Sequence, residues 1–405
     1  MIRTTQIGMS FIYNYLTSEL PKDDGSDDST SKKSLQMKVL SEVLAKSGGL
    51  LSKFSQTILH VHHDFDNQVF TDCTPFNPEL THEFILDELE VDENLESGIT
   101  YFDKKVFKSG SVGQVYKAVY KDSKNIVIKV QYYGLYEQFK TDLSIVNTLL
   151  RFLFYSNQSI MTVAFNEIEK NVYQELDYKI EAKNHQKFYD LWKNHQYIKI
   201  PELIPEISTD KIICTEFIDG ESLSEFISNS TLDQKNIIGQ KLVEFIFTSL
   251  YKYGMFYSDS HYGNFIVKDK STLYVMDFGC THTFDVKMLN NLKNLHKSLI
   301  LKDKALFYEA VNDLGVLNDK ITEESKEYMY EYFNILCKPW VVDEDFEFTD
   351  KWLESTTFKK TDLLKQWSAP ADYMYLNKIP FSLCYILNKM KIKANFRQLF
   401  NDLLY

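Results

Sequence analysis

The stretch Met255–Val267, MFYSDSHYGNFIV, sets an aspartate, a histidine, a glycine and an asparagine between two apolar runs. The two apolar runs flank one short polar turn, and such a turn is where a reaction centre for a metal-bound phosphate could sit. Asp259 and Asn264 stand five positions apart in that loop. A second fragment, YVMDFGC, follows at Tyr274–Cys280 and adds Asp277 directly before Phe278 and Gly279. An amide carbonyl and carboxylates are the donors that a hard cation such as Mg²⁺ takes, so the fragments suit a metal-bound phosphate. Taken singly each is ordinary: a lone Asp or Asn makes turns, and the tripeptide at Asp277 is common.

Working outward toward the N-terminus, KSGSVGQVYKA (Lys108–Ala118) offers Gly110, Ser111, Gly113 and Val115. Gly110, Gly113 and Val115 fit the last three marks of a GxGxxGxV phosphate loop, with Lys108 in place of the first glycine. Glycines let backbone N–H groups approach phosphate oxygens, but Gly110 equally suits a plain hairpin. Lys129 lies within the apolar run IVIKV (Ile126–Val130). A cation there either snorkels from an edge strand or pairs the phosphates from beneath the loop. If buried it needs a partner, and the helical stretch downstream offers Glu167, Glu175 and Glu181. On one continuous helix Glu167 and Glu175 stand ~12 Å apart, so a single lysine holds only one of them. Glycine loop, strand lysine, DxxxxN and DFG, in that order, follow the protein-kinase plan, in which Asp259 accepts or orients a proton while Asn264 and Asp277 bind the metal.

Composition narrows the alternatives. The chain has 405 residues with 44% hydrophobic and 25% charged side chains, which is ordinary for a globular protein with room for more than one domain. A net charge of −12 without a basic block argues against nucleic-acid binding. The five cysteines (Cys73, Cys214, Cys280, Cys337, Cys384) are widely spaced, as expected of reduced intracellular thiols. No apolar run is long enough to span a bilayer, and no secretory start is visible. Arg3, Arg151 and Arg397 are the only arginines, so mitochondrial targeting is not evident. The expectation is an intracellular protein, cytoplasmic or membrane-peripheral. HVHHD (His60–Asp64) lacks a matching Cys/His group and reads as a solvated segment.

Residues 1–33 end in PKDDGSDDSTSKK, too polar to order itself, and are read as a flexible segment. Residues 34–100 carry helical periodicity from Leu35 and form a helical extension. Residues 101–218 alternate as strands, form the smaller lobe and include a helical insert, in which Ile168, Val172, Leu176 and Ile180 make one stripe. YIKIPELI and KIICTEFI read as two further strands. Residues 219–405 are mainly helical and hold the catalytic loop. The expected fold class is α+β and bilobal.

On these motifs the sequence resembles the UbiB-type, aarF-domain atypical protein-kinase-like family. KFSQ (Lys53–Gln56) is similar to the family's KxGQ motif, with Ser55 for its glycine. ELDYKIEAKN (Glu175–Asn184) matches its ExD motif, NEIEKNVYQELD sets Glu167 at the lysine-pairing glutamate, and SDSHYGNF is similar to DPHPGN, with Ser260 and Tyr262 for both prolines. The resemblance implies a kinase-like fold that binds Mg²⁺ and ATP or ADP between two lobes, with the KxGQ extension folded over the cleft. It also implies ATPase activity and a link to ubiquinone or isoprenoid-lipid metabolism, with a lipid or quinone-like ligand and peripheral membrane contact. It sets Lys53 and Gln56 near the phosphates beside Glu175 and Asp177, and starts the adenine hinge at Glu216. Gly110 departs from the family's alanine-rich loop and is expected to change nucleotide preference; the lost prolines are expected to loosen the catalytic turn. A nucleotide-sensing scaffold and a small-molecule phosphotransferase are the competing functions.

Overall fold

A computed structural model describes Ile85, 98–109, 112–121, 123–137, 139–140, Leu143, Glu169, Tyr173, 176–319, 321–356, Leu363, 366–368 and 378–405. The chain divides into two compact units. The first takes residues up to Gln186 together with Pro201–Phe217, and the second takes Lys187–Ile200 and Ile218–Tyr405.

In the first unit, strict alternation writes the sheet. Strands β3 (Gly113–Tyr120) and β4 (Lys124–Gln131) pair antiparallel along their whole length, from Gly113 opposite Gln131 to Tyr120 opposite Lys124. Their turn uses Lys121 and Ser123 at positive φ. Strand β1 (Ile99–Phe102) and the two-residue β2 (Lys108–Ser109) add to β3, and β6 (Ile212–Glu216) adds to β4. One face carries Tyr116, Ala118, Tyr120, Ile126, Ile128 and Val130, buried with Ile212 and Cys214. Each fully buried Val or Ile contributes roughly 1.5–3 kcal/mol, which fixes the register because a one-residue slip would turn this set outward. The opposite face, with Val115, Lys117, Val127 and Lys129, is only half-buried.

Helix α1 (Tyr178–Trp192) follows a turn at Leu176. The Asp177 carboxylate accepts from the Lys179 N–H at 3.0 Å, and Ile180 is exposed. The stripe expected through Ile180 is therefore interrupted, because an aspartate that bonds a backbone N–H two residues on competes with helix continuation. The first half of α1 belongs to the first unit; Phe188 and Trp192 are buried in the core of the second. The two strands expected from YIKIPELI and KIICTEFI likewise separate. Strand β5 (Ile198–Lys199) pairs in parallel with β10 (Thr272–Val275) of the second unit, while β6 stays in the first. Residues 187–200 thus leave the lobe to which the sequence assigns them, because Phe188, Trp192, Ile198 and Ile200 bury in the second unit's core.

The second unit is built on α3 (Leu232–Tyr251), which buries Ile238, Leu242, Phe245, Ile246 and Leu250. It starts at a capping box, Thr231 with Gln234, as does α2 (Leu223–Asn229) with Ser222 and Glu225. Around it lie α4 (Val286–Leu301), α5 (Lys304–Asp313), α6 (Glu323–Leu336), α7 (Lys378–Met390) and α8 (Arg397–Leu404). Among the described residues three small sheets interrupt this helical unit, one of them the pair Phe346–Glu347 with Lys393–Ala394. Strands β7 (Glu221–Ser222) and β9 (Phe265–Lys268) join β10 and β5 in one sheet, and β8 (Met255–Tyr257) pairs antiparallel with β11 (Thr281–Thr283).

Candidate functional site

The phosphate-loop residue Gly113 opens β3, where a Cβ would stand 2.0 Å from the Val130 carbonyl oxygen and 3.0 Å from Tyr178 Oη. Close strand approach alone therefore requires a glycine there. Val115 lies opposite Lys129 on the half-buried face. Lys129 Nζ donates to both Glu181 carboxylate oxygens, at 2.7 and 2.9 Å, and sits 5.0 Å from the centre of the Tyr178 ring. Glu181 is nearly buried and Lys129 partly so. Of the three glutamates the sequence offered, the structure thus brings Glu181 to the lysine. The helix that restarts after Asp177 aims the side chain three residues past Tyr178 back at β4, which an unbroken helical stripe did not reveal. Glu167, assigned by resemblance, lies outside the described residues, as do Glu175, Gly110, Ser111, Lys53, Gln56 and the HVHHD cluster. Asp177 is half-buried at the start of α1, and its backbone carbonyl accepts from Ile180. Glu216 ends β6, where its N–H donates to the Glu202 carbonyl and Phe217 N–H to Asn125. Phe217 and Phe107 then flank Lys117, whose ammonium stands 4.4 and 4.3 Å from the two rings.

In the second unit, two ladders hold the loop residues together. Strands β9 and β10 pair up to Phe265 opposite Val275, and the Met276 N–H then donates to the Asn264 carbonyl at 2.9 Å. Asn264 and Asp277 therefore leave the same hairpin mouth. Strand β8 runs beside β11, and Ser258 N–H and Oγ both donate to the Cys280 carbonyl, which fixes Asp259 next to the segment after Asp277. Asn264 Nδ2 donates to Asp259 Oδ2 at 2.7 Å and to its backbone oxygen at 3.1 Å. With the amide nitrogen so engaged, the carbonyl oxygen is the end left to face a cation. Asp277 Oδ1 accepts from Gly279 N–H at 2.9 Å.

Without the two prolines the turn is closed by hydrogen bonds. His261 N–H donates to Asp259 O, Asn264 N–H to His261 O, and Gly263 N–H to His261 Nδ1. His261 therefore orders the loop. Ser260 is buried within it.

This oxygen set fits Mg²⁺: one amide carbonyl and carboxylates on a rigid hairpin suit an ion that keeps several waters and takes substrate phosphates. Among the described residues no group of three or more His, Cys, Asp or Glu side chains forms an all-protein cage.

The profile of the ABC1 atypical kinase-like domain matches residues 68–311, more than half of the chain. The chain belongs to the ABC1 atypical kinase-like family. It is 25% identical over 312 residues to the mitochondrial atypical kinase coq-8 of Caenorhabditis elegans, covering 75% of this chain and 41% of that protein. It is 26% identical over 269 residues to the mitochondrial atypical kinase COQ8 of Saccharomyces cerevisiae, covering 65% and 53%. The chain thus spans about half the length of the curated relatives it matches. Among solved structures, a Mycobacterium tuberculosis protein in complex with erythromycin superposes with a TM-score of 0.68 at 22% identity, covering 93% of this chain and 98% of that one. The fold is α+β, bilobal and protein-kinase-like, as the motif order implied.

Proposed function

We propose that this family member is an atypical kinase or ATPase acting on Mg²⁺-bound ATP or ADP, and that one nucleotide engages both Lys129 and the Asn264–Asp277 pair. The observation that carries this reading is the hairpin mouth: the Met276–Asn264 backbone bond and the Asn264–Asp259 side-chain bond set an amide carbonyl and two carboxylates side by side. A divalent ion held by Asn264 and Asp277 would neutralise phosphate charge. Lys129, kept in place by Glu181, holds phosphate oxygens, and Asp259 orients the attacking water or hydroxyl. Gly113 and Val115 lie under the nucleotide, the segment from Glu216 meets the base, and Gly110, Ser111, Glu167, Glu175, Asp177 and Gln56 complete the assignment, with Lys53 gating access. The extension 34–100, the smaller lobe of 101–186 with 201–217, and the larger lobe of 187–200 with 218–405 are the working parts.

The metabolic setting follows the family resemblance: a link to ubiquinone or other isoprenoid-lipid metabolism, with a lipid or quinone-like ligand and peripheral membrane contact. No helix among the described residues is long and apolar enough to cross a membrane.

Thermal melting with Mg²⁺ and ATP or ADP, alongside phosphate release, tests the reading. A ligand at a hundred times its Kd stabilises the folded state by roughly 2.7 kcal/mol. Stabilisation with release that Asp277→Asn abolishes supports the enzyme. Stabilisation without release replaces it by a nucleotide-sensing scaffold, and no stabilisation removes both.

A further inference from the structure

Two cations share the half-buried face of the first unit's sheet. Val115 stands opposite Lys129 and Lys117 opposite Val127, so the lysines are one same-face step, ~7 Å, apart along the strands. Lys129 has Glu181 as its counter-charge. Among the described residues the Lys117 ammonium has no carboxylate partner; it is held instead by two aromatic rings. Phe107 and Phe217 stand 4.3 and 4.4 Å from Nζ and meet each other edge to face at 5.9 Å.

The two rings come from opposite margins of the sheet. Phe107 directly precedes β2, which pairs with β3, and Phe217 directly follows β6, which pairs with β4. Their side chains therefore reach across the central strands and meet at Lys117 as an arch. A cation within ~6 Å of an aromatic centre is attracted by the negative face of the ring, and here one cation draws on two rings at once. It thus ties the segment that enters the phosphate loop to the segment that follows Glu216. Phe107 is still 50% exposed, so the arch keeps apolar surface open to a flat partner. Phosphates at Lys129 and a base beside the segment from Glu216 would leave that base on the Val115–Val127 part of the face, against the arch.

We infer that Lys117 is a positioning residue that sets the base dependence of nucleotide binding: by drawing Phe107 and Phe217 together it builds the end wall of the base slot. The inference rests on the reading given above, in which phosphates meet Lys129 and the base meets the segment from Glu216. A ligand with a planar base gains from the wall, and a bare polyphosphate does not.

The test compares Lys117→Met, which keeps the apolar stem, with Lys117→Arg, which keeps a cation able to stack on rings. Each full-length variant is melted without ligand and titrated with ADP and with tripolyphosphate, both in Mg²⁺. The expected result for Lys117→Met is an ADP Kd raised about tenfold, a tripolyphosphate Kd unchanged and a ligand-free melt like that of wild type. Lys117→Arg is expected to stay within about threefold of wild type for ADP. Phe107→Ala removes a half-exposed ring and reaches the same ADP loss by a second route, which keeps the test open if Lys117→Met does not fold. Three results overturn the inference while leaving the proposed function standing: ADP affinity unchanged in Lys117→Met or in Phe107→Ala, ADP and tripolyphosphate weakened alike, or an Arg variant as weak as Met. A wild type that binds no ADP removes the proposed function, and this inference with it.

Discussion

The lysine corner of the first unit and the carboxylate corner of the second solve opposite electrostatic problems. Lys129 is matched in charge by its partner, since both Glu181 oxygens accept from its ammonium and the Tyr178 ring lies close by. Asp259 accepts from the Asn264 side-chain amide and Asp277 from the Gly279 N–H, bonds that fix the carboxylates' geometry. The first corner is a finished structural element that also presents a cation; the second is preorganised for a charge that arrives from outside. Glu181→Gln and Asp277→Asn should therefore fail differently. Asp277→Asn is expected to cut Mg²⁺-dependent phosphate release by about 100-fold or more while leaving the ligand-free protein within about 1 kcal/mol of wild type. Glu181→Gln leaves a partly buried ammonium without its counter-charge and is expected to lose about 2 kcal/mol in denaturant melts. If the two variants show the same balance of activity and stability loss, the contrast is wrong.

Backbone against side chain gives the next contrast. A Cβ at Gly113 meets the Val130 backbone, whereas one at Gly239 in α3 meets the Cδ1 and Cγ1 atoms of Ile392, at 2.5 and 2.7 Å. Backbone in a paired strand cannot move aside, so Gly113→Ala is expected to cost about 3 kcal/mol. An isoleucine tip can turn, and alanine improves helix propensity by ~1 kcal/mol, so Gly239→Ala should stay within about 1 kcal/mol of wild type. Equal losses in urea titrations would mean that the β3–β4 ladder yields as readily as the helical core.

The helical core carries its own pH dependence. Burial holds the His296 imidazole down at about 4, from an ordinary 6.5, with Tyr251 Oη 2.6 Å from Nδ1. The folded protein keeps this ring neutral, whereas the unfolded chain binds a proton from about pH 6.5 downward. Stability from this group is therefore fully present above about pH 6.5 and is lost as the pH falls toward 4, a span on the order of 3 kcal/mol. Melts between about pH 7 and 4.5 should show a shallower decline for His296→Phe than for wild type; parallel curves would contradict the burial argument. The smallest effect is at the surface: Ser222→Ala removes the capping acceptor of Glu225 N–H and should cost about 1 kcal/mol.

What the sequence made legible divides along physical lines. Strands β3 and β4 alternate over eight residues each, and that period fixes both faces of the sheet. Asp259, Asn264 and Asp277 were legible as a group because their spacing encodes a turn and a hairpin, and the structure brings them to one hairpin mouth. Strands β7, β8 and β11 are two or three residues long and carry no period of their own, so the region after 219 read as mainly helical. The choice of Glu181 for Lys129 depends on where the helix restarts after Asp177, which one hydrogen bond to Lys179 decides.

The most direct measurement is a crystal structure of the protein with Mg²⁺ and a non-hydrolysable ATP analogue. The account predicts Lys129 Nζ within hydrogen-bonding distance of a phosphate oxygen, and an ion on the same phosphates ligated by Asn264 and Asp277. A nucleotide held by Lys129 alone, or an ion that touches neither Asn264 nor Asp277, would contradict it.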